Sequence, residues 1–95
     1  MSETADAYLL VEERELQIRA AARAVKREAL ETAERWPAFR SVHEGYAVLL
    51  EEVDELWFEI KAKTPDKTKL REEALHVSAM ALRIAAELAP REIPE

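Results

Sequence analysis

Apolar residues recur at intervals of three, four and seven along three stretches of this chain, and nowhere do they alternate at the period of two that a half-buried strand shows. The pattern predicts an all-α protein of three helices. The first runs from about Glu3 to Arg35, with Val11, Ile18, Ala22, Val25, Ala29, Ala33 and Trp36 along one side. It stops at Trp36-Pro37 because proline disfavours helical geometry in the residue before it. Ser41-Val42-His43-Glu44 reads as a capping box that opens the second helix, which continues to about Ala62. Its stripe is Val42, Tyr46, Leu49, Val53, Leu56 and Ile60, with Leu50 and Trp57 at the edge. Thr64-Pro65-Asp66 supplies an N-cap at Thr64 and a proline in the first helical position, so the third helix spans about 65–89 and residues 90–95 form an irregular tail.

The third helix carries two stripes. Leu70, Ala74, Val77, Ala81, Ile84 and Leu88 form the first, and Leu75, Ala79, Leu82 and Ala86 form the second. One neighbour cannot cover both, so the second stripe calls for helix one, a second copy of the chain, or both. We expect both, in a helical bundle completed by homodimerisation. A lone glycine, Gly45, falls inside helix two, where it costs up to about 1 kcal/mol and signals close approach by another element.

Composition narrows the functional classes. Ninety-five residues make one small domain with a thin core. The absence of cysteine excludes disulfides, thiolate metal sites and thiol catalysis. A net charge of −6 argues against DNA or RNA held by bulk electrostatics, although Lys61, Lys63, Lys67, Lys69 and Arg71 form a local basic run. That run reads mainly as a solvated loop balancing an acidic chain. The acidic N-terminus does not look like a signal peptide, and no apolar run reaches membrane-spanning length, so the expected location is the cytoplasm.

The chemistry concentrates in two acidic clusters. Glu51-Glu52-x-x-Glu55 lies on helix two and Glu72-Glu73-x-x-His76 on helix three. Residues three apart share a helix side, so Glu52 with Glu55 and Glu73 with His76 make two ligand edges, each bordering its helix's apolar stripe. Carboxylates converging in this way repel one another unless a divalent cation holds them ionised. Glutamate is abundant here, and either cluster alone would equally suit a solvated acidic face.

Over residues 41–89 the chain resembles the MazG-like all-α nucleoside triphosphate pyrophosphohydrolases, whose pattern is EExxE on one helix and ExxD on the next. Glu51-Glu52-Val53-Asp54-Glu55 fits the first half, and Glu73 fits the second, with His76 where the pattern has Asp. The resemblance implies Mg²⁺ held by Glu52, Glu55 and Glu73, with Glu51 a further contributor, and hydrolysis of a nucleotide substrate to monophosphate and pyrophosphate. Glu51, Glu52 and Glu55 are the candidate catalytic residues, and Glu51 or Glu59 is placed to orient or deprotonate a water. His76 reads first as a helix-surface histidine making a local hydrogen bond, next as a ligand that would favour Mn²⁺ or another transition metal, and last as an acid–base group. The competing class is a catalytically inactive helical interaction or regulatory protein that keeps the fold and a metal site. Trp36, Phe39, Trp57 and Phe58 suit core or interface anchors better than base stacking, and Arg40, Arg83 and Lys61 suit ion pairs better than phosphate contacts.

Overall fold

A computed structural model describes residues 3–90, with side chains described from Leu10 onward. These residues form three helices and no strand: α1 (Glu3–Arg35), α2 (Val42–Ile60) and α3 (Lys67–Leu88). Met1, Ser2 and residues 91–95, which include most of the expected tail, lie outside the described residues.

The caps explain where the helices begin, and they differ from the expected ones in detail. Ser41 Oγ accepts the Glu44 backbone N–H at 3.1 Å, as a capping box requires. The Glu44 carboxylate reaches one residue further back than expected, accepting from the Arg40 backbone N–H at 3.1 Å and from Arg40 Nε at 2.9 Å. These bonds hold Glu44 below the ordinary carboxylate range. Helix α2 ends at Ile60, two residues early. Helix α3 is capped by Asp66 and not by Thr64, because Asp66 Oδ1 accepts from both Thr68 and Lys69 backbone N–H groups. A carboxylate accepting two amides at the positive end of the helix outcompetes a hydroxyl two residues upstream.

Helix α3 is the centre of the bundle. Both α1 and α2 pack on it, and they do not pack on each other. Ala79 is fully buried and joins Ala29 of α1 and Met80 in the core, with Val25, Phe39, Val48 and Leu49 packed around them. Helix one therefore covers the second stripe of α3 at Ala79, as the pattern predicted. Glu28 lies near His76 and Pro37 near Arg83, so α1 runs parallel to α3. Glu52 lies near His76 and Gly45 near Leu88, so α2 runs antiparallel to it. At Gly45 α2 approaches α3 closely. A methyl there would stand 2.8 Å from Leu88 Cδ1 and 3.2 Å from Ile84 Cγ1.

Two stripes are only partly used. With 33 residues α1 is about 50 Å long and outruns the 22-residue α3, leaving Val11 and Ile18 exposed. Helix α2 is rotated about its axis relative to the expected stripe. It turns Gly45, Val48, Leu49, Glu52 and Leu56 inward and leaves Val42, Tyr46, Val53 and Ile60 exposed. The apolar arc of α2 is wider than one neighbour can cover, and the close approach at Gly45 decides which part is covered.

Candidate functional site

Because α1 and α2 flank α3 without meeting, a trough runs between them with α3 as its floor. Its two ends are chemically different.

At one end four predicted ligands converge. Glu52 and Glu55 from α2 and Glu73 and His76 from α3 each present one ligand atom within 4.8 Å of all the others. Ligands of one cation lie at most twice a metal–ligand distance apart, about 4–5 Å for distances of about 2.0–2.5 Å, so this spacing is compatible with a shared ion. His76 Nδ1 lies 3.5 Å from Glu73 Oε2 and 3.7 Å from Glu52 Oε2. Both separations exceed hydrogen-bond length. Accordingly, Glu52 Oε2 and Glu73 Oε2 are buried with no hydrogen-bond partner. Buried acceptors in that condition are costly unless a proton or a cation satisfies them. Burial, with the neighbouring Glu55 carboxylate as the next cause, raises the Glu52 pKa above its ordinary value.

Helix α1 contributes a residue that the two motifs did not announce. Glu28 Oε1 lies 3.7 Å from His76 Nε2, on the opposite side of the ring from Glu52 and Glu73. Glu28 therefore faces the ring from the side opposite the cluster, also beyond hydrogen-bond length, and Nδ1 is the imidazole nitrogen turned toward Glu52 and Glu73. The sequence signal for Glu28 was its place beside Ala29 and three residues beyond Val25, on the border of the helix-one stripe.

The other end of the trough is closed by the chain itself. The 36–41 connection crosses α3 there, and a buried arginine, Arg83, fastens it. Arg83 Nε donates to Glu87 Oε2 at 2.7 Å, and its Nη2 donates to Glu87 Oε1 and to the Pro37 carbonyl, each at 3.2 Å. Glu87 Oε1 also accepts the Phe39 backbone N–H at 3.0 Å, and the guanidinium lies 4.5 Å from the centre of the Phe39 ring. Hydrogen bonds from Arg83, with that from Phe39, hold the Glu87 carboxyl below its ordinary range. Arg83 is thus a structural clasp, which removes it from the candidate phosphate contacts.

Between the two ends lies a groove of about 520 Å³ lined by Thr32, Trp36, Phe39, Val48, Glu51, Glu52, Met80 and Arg83 among others. It shares Glu52 with the ligand cluster and carries Glu51 at its edge. Trp36 and Phe39 are therefore groove walls, whereas Trp57 and Phe58 are exposed on α2 and line no part of it. Arg40 pairs with Glu44, and Lys61 lies over the Phe58 ring at 5.8 Å. Lys63, Lys67, Lys69 and Arg71 are exposed and likewise outside the groove.

No family model, curated protein or solved structure matches the chain. The site's chemistry is therefore read from its residues. Among the described residues, no helix is long and apolar enough to cross a membrane.

Proposed function

We propose that the chain is a divalent-cation-dependent nucleotide pyrophosphohydrolase, hydrolysing a nucleoside triphosphate or a related nucleotide to the monophosphate and pyrophosphate. The observation that carries this reading is the convergence of Glu52, Glu55, Glu73 and His76 with two carboxylate oxygens buried and unpartnered among them. The resemblance of its acidic clusters to the MazG-like pattern supports the same reaction.

The donor set fits a divalent cation. Glu52, Glu55 and Glu73 would hold it through oxygen, and His76 through Nδ1 with Glu28 behind the ring. Carboxylates suit Mg²⁺, while an imidazole in the set favours Mn²⁺ or another transition metal. Such an ion, when bound, neutralises phosphate charge and acidifies a coordinated water.

The rest follows from the chain's own groups. Glu44, Glu51 and Glu52 line the groove, and Arg83, the cation among its lining residues, is committed to Glu87. A phosphate entering that groove meets carboxylates, so the protein alone repels the anion and holds it only when the cluster is charge-compensated. Glu51 is exposed beside Glu52 and outside the four-ligand cluster, which leaves it free to orient a water or accept its proton. Trp36, Phe39 and Met80 give the groove an apolar stretch suited to the rest of a nucleotide.

The histidine in place of a motif carboxylate favours a second reading, a noncatalytic helical protein that retains a metal site. Incubation with ribo- and deoxynucleoside triphosphates in Mg²⁺ and separately in Mn²⁺ distinguishes the two. Wild-type release of monophosphate and pyrophosphate, lost in Glu55→Gln, is the expected result. Cation binding without turnover on any nucleotide would leave the noncatalytic reading.

A further inference from the structure

The groove between the two ends of the trough combines an apolar wall with an acidic one. Trp36, Phe39, Val48 and Met80 supply the first, and Glu51 and Glu52 supply the second on the side that meets the ligand cluster. Its volume of about 520 Å³ is that of a small-molecule site.

The acidic wall is not neutralised by the protein. Arg83, the cationic side chain among the described lining residues, is committed to Glu87 and the Pro37 carbonyl. Glu44, which also lines the groove, is paired with Arg40. Glu51 forms no salt bridge among the described residues, and Glu52 Oε2 is buried without a hydrogen-bond partner. Adjacent carboxylates are thus left uncompensated beside an aromatic wall.

A ligand that satisfies both walls carries positive charge on an apolar body. An inorganic cation answers the carboxylates and leaves the aromatic wall in water. A free anion is repelled, and a neutral apolar molecule leaves Glu52 Oε2 unpartnered. We propose that, without a divalent cation at the cluster, the groove binds a small organic cation of the arylalkylamine type, its ammonium at Glu51 and Glu52 and its ring against Trp36, Phe39 and Met80. An alkylamine is protonated at neutral pH, as lysine is. Its N–H donors can serve two carboxylates, and such charge-assisted hydrogen bonds are about twice as strong as neutral ones. One aromatic of this groove already receives a cation within the fold, because the Arg83 guanidinium lies 4.5 Å from the centre of the Phe39 ring. Trp36, the better cation acceptor by ring type, is exposed and has no such partner among the described residues. The inference does not rest on the hydrolase reading, since it needs neither a bound metal nor a nucleotide.

Trp36 is also the reporter. Trp57, the chain's other tryptophan, is exposed on α2 outside the groove, so Trp57→Phe leaves the fluorescence to Trp36 alone. In that background, with a chelator present and ionic strength held constant, phenethylamine is titrated against 2-phenylethanol and 3-phenylpropionate, which carry the same ring with a neutral or an anionic head. The expected result is a saturable change with the amine, at least about 10-fold tighter than the alcohol, and none with the acid. Glu51→Lys, at an exposed position, should weaken the amine by about 10-fold or more. Asp54→Lys changes the chain's charge equally but lies outside the groove, and should leave the affinity within about two-fold. The proposal is overturned by an unsaturable response to the amine, by equal affinity for the alcohol, or by equal weakening in the two lysine variants, which would reduce the effect to general attraction by an acidic surface.

Discussion

The two ends of the trough use the same ingredients to opposite effect. Each is built on a local pair along α3, Glu73 with His76 at one end and Arg83 with Glu87 at the other. At the Arg83 end the guanidinium, the carboxylate, a backbone amide and a carbonyl satisfy one another at 2.7–3.2 Å. At the Glu73 end like charges crowd together, two buried oxygens have no partner, and the nearest imidazole nitrogen is 3.5–3.7 Å away. A satisfied polar network holds a fold, whereas an unsatisfied one stores a demand for a ligand. The difference separates, within one helix, a charge pair that holds the fold from a cluster that could hold a metal ion.

Breaking the clasp should have the largest effect. Arg83→Met leaves Glu87 without its counter-charge and the Pro37 carbonyl without its donor. We expect a loss of about 3–5 kcal/mol in urea unfolding. Adding Glu87→Leu should restore part of that loss, since the uncompensated charge disappears with it. A cost below about 1 kcal/mol for the single variant would show that the Arg83 end is not structural.

The opposite end should instead respond to a cation. Mn²⁺ at one hundred times its dissociation constant should stabilise the wild type by about 2.7 kcal/mol, raising the melting temperature by about 10–20 °C. Glu73→Gln should abolish the shift, whereas Glu28→Gln, at a position 3.7 Å from His76 and outside the four-ligand cluster, should reduce it less. An equal shift in Glu73→Gln would mean that the ion acts elsewhere on this acidic surface.

Acid sharpens the contrast within the clasp. The Glu87 pKa is depressed chiefly by its hydrogen bonds from Arg83, so its ionised form is favoured in the folded state. Its contribution to stability is complete above the unfolded-state value and is lost as pH falls through the folded-state value. Glu87→Gln should therefore cost about 1–2 kcal/mol at neutral pH and flatten the acid limb of a stability–pH profile. A variant with the wild-type acid limb would place that titration in other carboxylates.

These distinctions were unevenly legible in the sequence. Periodicity and punctuation located all three helices to within about two residues, because proline and the capping side chains act locally. The convergence of Glu52, Glu55, Glu73 and His76 was readable as well, since a spacing of three residues fixes a helix edge whatever the neighbours do. Glu28 was not, because its role depends on α1 running parallel to α3 in a register that no local pattern specifies. Arg83 and Glu87 resemble any exposed pair four residues apart. Only the crossing of residues 36–41 over α3 buries Arg83. The rotation of α2 was hidden for a related reason: its apolar arc is wide enough for two partners, and a helical wheel does not say which part faces α3.

The smallest predicted effect has the opposite sign from the clasp substitutions. The Glu52 pKa is raised, first by burial and then by the Glu55 carboxylate, so the fold favours the protonated form. That preference is fully present below the unfolded-state pKa and is lost as pH rises through the folded-state pKa, above which the ionised Glu52 destabilises the cation-free protein. Glu52→Gln keeps the shape and removes the charge. Without added cation it should therefore raise stability by about 0.5–1 kcal/mol, a modest gain because water reaches part of the side chain. The same variant should lose most of the Mn²⁺-dependent shift. A substitution that stabilises the empty protein while abolishing its response to the ion is the pattern expected of a residue retained for binding, and the Arg83 clasp should show no counterpart to it. If Glu52→Gln instead destabilises the cation-free protein, the carboxylate is satisfied by its surroundings, and the contrast between the two ends of the trough fails.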